Sequence, residues 1–92
     1  MSQISIEQTH SLQPDAVRAA VDTLAEKLRS RFGANTHWAD ETLKFDGGGV
    51  EGEIRLLPGR VHVLAELGMI YGLMKGPIES EIRRVLQEQL GA

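Results

Sequence analysis

The chain has 92 residues and a mass of 10.1 kDa, so we expect one domain over residues 1–92 and exclude a two-domain enzyme, because domains usually contain about 100–150 residues. Thirteen acidic against ten basic residues give a net charge of −3, whereas a nucleic-acid-binding domain normally carries a basic patch. The absence of cysteine excludes disulfides, thiolate metal sites and cysteine nucleophiles, and it favours a cytoplasmic protein.

The N-terminal third of the chain predicts a strand followed by a long helix. Residues 4–9 alternate apolar with polar side chains, which is the period-two pattern of a half-buried strand. Apolar residues then recur at steps of three and four over residues 12–32, which predicts a helix with one buried face. We expect Ser11 to cap this helix and Gly33 to end it in the left-handed conformation.

The middle of the chain predicts four strands joined by tight turns. The strands are expected at residues 36–38, 42–46, 50–56 and 61–67. Such short links require antiparallel neighbours. The glycines at 47, 49 and 52 spell G-x-G-x-x-G, but a strand follows them where a dinucleotide-binding loop needs a helix, so we interpret them as a hairpin turn.

A second amphipathic helix is predicted from Gly76-Pro77 to Leu90, with proline in its first turn. The order of elements is therefore β-α-β-β-β-β-α. This order predicts an α+β fold in which two helices pack on one face of an antiparallel sheet of about five strands. No run of about 18 apolar residues is present, so no transmembrane segment is expected.

The segment 68–76 between the last strand and the last helix has three glycines four residues apart, and this density favours a loop over a stable helix. Its five large apolar or aromatic residues are Met69, Ile70, Tyr71, Leu73 and Met74. A loop cannot easily bury them all, and exposed apolar patches usually mark interaction surfaces. We therefore predict an interaction surface made by these residues and Leu64; the alternative is that the loop folds back to cap the core.

We assign no residue to catalysis, to a cofactor or to a metal ion. His10, His37 and His62 share no local ligand spacing. Glu51 and Glu53 point to the same strand face about 7 Å apart, and we interpret them as a solvated β-face rather than an acid and a base. A protein without enzymatic activity is expected, and a small hydrolase or cyclase built on the same glutamates and histidines is the enzymatic alternative.

Several short motifs together resemble one protein family over essentially the whole chain. They are Ile4-Ser5-Ile6, His10-Ser11-Leu12, Arg31-Phe32-Gly33, the strand with Trp38, Val50-Glu51-Gly52 and, most specifically, Leu73-Met74-Lys75-Gly76-Pro77-Ile78-Glu79. With these motifs the chain resembles the polyhydroxyalkanoic acid system proteins, small proteins associated with bacterial polyester granules. The resemblance implies an accessory protein in the cytoplasm, at or near the granule, with no catalytic residue or cofactor to carry over. Its expected partner is the granule, a granule protein or a second copy of the chain.

A second function rests on fold analogy alone. Long helices over a curved antiparallel sheet are similar in outline to a reduced START-like, helix-grip domain. Such a domain would bind a small lipophilic ligand, such as a hydroxyacyl chain, between the sheet and the helices. This alternative requires a cavity of about 300 Å³ or more.

Overall fold

A five-stranded antiparallel sheet with its helices on one face organises the chain. The computed structural model describes residues 2–91. The strands are β1 (Ser2–Thr9), β2 (Asn35–Ala39), β3 (Thr42–Gly47), β4 (Val50–Leu57) and β5 (Arg60–Leu67), and the helices are α1 (Pro14–Phe32), α2 (Met69–Gly72) and α3 (Lys75–Leu90). The predicted α+β class and order of elements are confirmed, with the short helix α2 as an addition.

The strands lie in the order β1-β5-β4-β3-β2, and every neighbouring pair is antiparallel. Strands β2 to β5 form the predicted meander. Strand β1 pairs with β5 over its full length, from Ser2 opposite Leu67 to Thr9 opposite Arg60. The chain must therefore pass from one edge of the sheet to the other between β1 and β2. Helix α1 spans that distance, because its 19 residues extend about 28 Å.

The core lies between the helices and the face of the sheet toward which they pack. It contains the inward residues of the strands and one stripe of each long helix, and its largest fully buried side chains are Ile4, Ile6, Leu43, Ile54, Leu67 and Leu86. Within residues 3–91, no polar or charged residue is buried. The core is thus purely apolar, and the polar strand residues face away from the helices.

The ends of the helices correct two predictions. The prediction that Ser11 caps α1 was wrong: the helix begins at Pro14, Gln13 occupies the N-cap position, and the cap has no side-chain hydrogen bond. Pro14 restricts the residue before it to extended backbone, and Gln13 accordingly has φ −69° and ψ 154°. Helix α3 begins at Lys75, one residue before the predicted Gly76.

The glycine at the end of α1 and the glycine-rich turn behave as predicted. Gly33 is left-handed, with φ 68° and ψ 23°, and its N–H donates to the carbonyl of Arg29 over 3.0 Å. The glycines at 47–49 connect β3 to β4, and Gly48 and Gly49 both have positive φ, which confirms the hairpin turn. A Cβ at Gly48 would overlap the carbonyl oxygen of Phe32, so this turn packs directly on the end of α1.

Candidate interaction surface

The segment predicted to be a loop contains one turn of helix, α2, docked against the β3–β4 turn. The N–H of Gly68 donates to the carbonyl of Gly49 over 2.8 Å, and the N–H of Gly72 donates to the carbonyl of Gly68 over 2.8 Å. The prediction that the glycines prevent a helix here was wrong. A single turn needs little intrinsic propensity when tertiary contacts hold it, and the bond to Gly49 is such a contact.

Four large apolar side chains of this region face the solvent. Met69 is 89% exposed, Ile70 77%, Leu73 91% and Met74 48%. We refer to these four residues as the α2 patch. The alternative in which the segment folds back to cap the core does not hold for these four side chains. The structure thus leaves four apolar side chains within residues 69–74 exposed to water.

Tyr71 belongs to the same segment, but its side chain points inward, toward α1. It is half-buried, and its ring meets that of Phe32 edge-on, with centroids 5.2 Å apart and an interplanar angle of 89°. A Cβ at Gly49 would lie 2.8 Å from the Tyr71 ring, so the absence of a side chain there lets the ring pack. Tyr71, predicted as part of the surface, therefore anchors the α2 patch to α1 and to the glycine turn.

Leu64 lies on the open face of the sheet, away from the helices. It is half-buried and lines a shallow hollow of about 540 Å³ together with Ser5 and Glu53. Within the described chain, the residues of α2 do not line this hollow. The structure therefore does not place Leu64 with the other five residues predicted for the interaction surface. The sequence contains no pattern that shows where α2 lies relative to the outer face of β5, so the separation of Leu64 from α2 could not be predicted.

The carboxylates of the open face form a row across three strands. Asp46 lies opposite Glu51, and Glu51 lies opposite Glu66, so like charges face each other in directly paired positions. Glu53, in the next row of β4, forms an ion pair with Arg55. Glu51 and Glu53 thus have different neighbours. Among residues 2–91, no group of three histidine, aspartate or glutamate side chains is arranged to hold a metal ion.

The three histidines are placed on separate parts of the fold. His62 Nε2 lies 3.0 Å from the hydroxyl of Ser5 on the open face. His10 Nδ1 accepts the backbone N–H of Leu12 over 3.2 Å in the link to α1. His37 lies on β2 and lines the other side of the hollow that contains Leu64. The structure therefore gives each histidine a different local role and does not assemble them into one site.

The space between the sheet and the helices is nearly filled. The cavity found there has a volume of about 10 Å³, which is about the space for one water molecule and far below the roughly 300 Å³ of a drug-sized ligand site. The alternative of a lipophilic ligand held between the sheet and the helices therefore gains no support from the packing.

A groove of about 280 Å³ lies on the outside, between α1 and α3. Met74 lines one part of it, so the α2 patch continues into this groove. Glu81 also lines it, and a hydrogen bond from the Arg84 guanidinium lowers the pKa of the Glu81 carboxyl. Arg31, 3.2 Å from Glu81, acts in the same direction. The groove is thus bordered by paired charges, whereas the α2 patch is purely apolar.

Comparison with known proteins gives one result. A family model described as "Putative polyhydroxyalkanoic acid system protein" matches residues 4–90, which is nearly the whole chain. No curated protein and no solved structure matches the chain. Within the described residues, none of the helices has the length and apolar character needed to cross a membrane. The family match covers β1 from residue 4 onward, the other four strands and the three helices, so the chain belongs to the family of polyhydroxyalkanoic acid system proteins.

Proposed function

We propose that this protein is a non-enzymatic accessory protein of the polyhydroxyalkanoate system that attaches to the granule surface in the cytoplasm through the α2 patch. The family supplies the polyester context. The observation that carries the proposal is the exposure of Met69, Ile70 and Leu73 on a turn of helix that Tyr71 fixes to the protein.

The size of the patch predicts reversible attachment. Full burial of a large apolar side chain contributes about 1.5–3 kcal/mol, so three such side chains contribute about 4.5–9 kcal/mol. Association costs about 4–15 kcal/mol in lost freedom of motion and in ordering of groups. The gain from burial thus lies within the range of the cost of association. A single α2 patch therefore supports a weak contact that can be broken.

The form of the patch favours an extended apolar surface over a shaped pocket in a partner. Helix α2 is a single turn, so its side chains spread over a short distance instead of forming the stripe of a longer helix. Met69 and Met74 are flexible and polarisable, and such side chains adapt to irregular surfaces. A polyester surface offers apolar area without defined pockets, which suits this arrangement.

The test compares binding to native granules with binding to polyester particles from which detergent has removed the proteins. The variant replaces Met69, Ile70 and Leu73 by serine. Leu12→Ser is the matched control, because Leu12 is also an exposed apolar residue, at 39%, and follows His10, whose N–H donates to Gly59 in the β4–β5 turn at the opposite end of the sheet. We expect the wild type and the control to sediment with both kinds of particle, and the triple variant to bind at least about tenfold more weakly.

Three results would contradict the proposal in different ways. Equal sedimentation of the triple variant and the wild type would remove the α2 patch as the contact. Binding to native granules alone would indicate a granule protein as partner in place of the polyester surface. Turnover of ester or thioester substrates above the buffer rate would contradict the non-enzymatic role.

A further inference from the structure

The two methionines of the described chain both lie in the α2 patch. The sequence has three methionines, at positions 1, 69 and 74, and it has no cysteine. Residues 2–91 therefore carry their only sulfur atoms in Met69 and Met74, and both side chains are exposed to solvent. There is no cysteine thiolate to consume an oxidant in their place. Accessible thioethers thus lie in the surface proposed to contact the granule.

We infer that hydrogen peroxide oxidises Met69, and more slowly Met74, to methionine sulfoxide, and that the modified patch no longer holds the granule surface. A lone pair of the thioether sulfur attacks one peroxide oxygen, so that an S–O bond forms and the O–O bond breaks. The sulfur loses two electrons and the peroxide gains them. The leaving hydroxide takes up the proton of the transferred oxygen, and the products are one sulfoxide and one water molecule.

The positions of the two side chains decide the order of oxidation, because the peroxide must reach the sulfur. Met69 is the first residue of α2 and is 89% exposed. Met74 is 48% exposed and lines the groove between α1 and α3 together with Phe32 and Pro77. The protein shields part of Met74 from solvent in this way, so Met69 reacts first.

A sulfoxide changes the contact because it brings a polar oxygen into an apolar patch. Oxidation converts a flexible apolar side chain into a polar one. A polyester chain offers ester oxygens as hydrogen-bond acceptors and has no donors along its length, and the sulfoxide oxygen is also an acceptor. Burial of a polar group without a hydrogen-bond partner is unfavourable. This step rests on the proposed function, since it requires the α2 patch to be the granule contact.

The fold itself does not depend on the two thioethers. Both methionines lie outside the core. At the start of α3 the backbone carbonyl of Met74 accepts the N–H of Ile78 over 2.9 Å, and oxidation of the side chain leaves this bond in place. The contact of Tyr71 with Phe32, which anchors the patch, involves neither sulfur. Oxidation should therefore release the protein from the granule without unfolding it.

Attachment and oxidation compete for Met69. A patch pressed on the granule excludes peroxide from this side chain, whereas the free protein exposes it. Because the proposed contact is weak, the protein exchanges between the two states, and oxidation takes place in the free one. An excess of granules should therefore slow the oxidation of Met69.

The main test follows oxidation of the intact chain in the absence of granules. After treatment with hydrogen peroxide, tandem mass spectrometry localises the added oxygen and gives the rate at each methionine. We expect Met69 to be oxidised faster than Met74, with no change in circular dichroism or in the midpoint of urea unfolding. Equal rates, a faster reaction at Met74, or unfolding on oxidation would overturn the inference. This measurement tests the modification site even if the proposed function fails.

The second test measures sedimentation of the oxidised protein with polyester particles. We expect oxidised wild type to bind at least about threefold more weakly than the untreated protein, because a large apolar side chain no longer contributes to the contact. The Met69→Leu, Met74→Leu double variant is the matched control: leucine is apolar and has no sulfur, and Met1 is still present, so peroxide should leave its binding unchanged. Methionine sulfoxide reductase should restore binding of the oxidised wild type.

The failures of the two proposals can be told apart. Equal binding by the untreated wild type and the serine variant of Met69, Ile70 and Leu73 would contradict the proposed function. Loss of binding in that variant, together with full binding of the oxidised wild type, would overturn the present inference alone. Weaker binding of the oxidised double variant would also overturn it, by placing the sensitive group outside Met69 and Met74.

Discussion

The core and the α2 patch are two apolar regions with opposite surroundings. The core gathers buried side chains from β1, β3, β4, β5 and both long helices, with Trp38 of β2 packed against them, and residues such as Ile54 and Val61 are fully buried there. The α2 patch comes from one short stretch of sequence, and Leu73 is 91% exposed. Burial of the core side chains stabilises the folded state. The α2 patch residues stay in water after folding, so they add little to that stability. The difference indicates that stability and surface contact can be changed separately by mutation.

Tyr71 and the glycine turn are the places where these two regions meet. Tyr71 is in the same segment as the patch but packs on Phe32 and Gly49, which connect it to the end of α1 and to the sheet. Substitutions in the core, at this junction and in the patch should therefore have different effects on stability and on granule binding.

Ile54→Ala tests the core side of the comparison and should have the largest effect on stability. Ile54 is completely buried in the central strand β4, so its truncation leaves a cavity. We expect the free energy of unfolding in urea to fall by about 2–5 kcal/mol. Granule binding per folded molecule should not change. A loss of less than about 0.5 kcal/mol would contradict the tight packing described for the core.

Gly48→Ala tests the junction and should have the second-largest effect. The new Cβ would overlap the carbonyl oxygen of Phe32, and φ at this position is 65°, a conformation that alanine adopts with strain. We expect a loss of about 1–3 kcal/mol in urea unfolding. Gly59→Ala is a matched control, because Gly59 also has positive φ but a Cβ there would meet no neighbour. Equal losses for the two variants would mean that conformation alone, without the contact to Phe32, accounts for the effect.

Tyr71→Leu has the smallest expected effect on stability and sharpens the comparison most. Replacement of the aromatic pair with Phe32 should lower the free energy of unfolding by about 0.5–1.5 kcal/mol. Because the α2 patch would lose its anchor, granule sedimentation should also weaken severalfold although no patch residue has changed. Tyr71→Phe keeps the ring and should behave as the wild type in both measurements. Undiminished binding by Tyr71→Leu would show that the patch does not need this anchor.

Features that depend on local patterns could be predicted from the sequence. The alternation of residues 50–56 and the three-and-four spacing of residues 17–28 follow directly from which face is buried, and both elements are present. The end of α1 at Gly33 follows from the need for a left-handed residue. Ser11 was assigned as a cap from its residue type, but the backbone restriction that Pro14 imposes on Gln13 decides where the helix begins.

Features that depend on contacts distant in sequence could not be predicted. Helix α2 forms because Gly68 bonds to Gly49 and Tyr71 packs on Phe32, and no local pattern contains these contacts. The exposed surface at Met69 and Leu73 was predicted from the surplus of apolar residues in a short segment, but the inward position of Tyr71 depends on the same docking. The period-two pattern placed Leu64 on the outer face of its strand, but it could not show that this face is separate from the rest of the predicted surface.

The pairing of β1 with β5 has a consequence for the order of folding. Strands β2 to β5 are joined by turns of a few residues and can form as soon as they have been synthesised. Ile4, by contrast, lies opposite Ala65, so β1 cannot take its place until about two thirds of the chain has followed it. Contacts between residues so far apart in sequence form slowly, because the loop between them must first close. Strand β1 therefore leaves the ribosome before the other four strands of this sheet but is the last to join it, and until then its two isoleucines lack the partners that bury them in the folded chain.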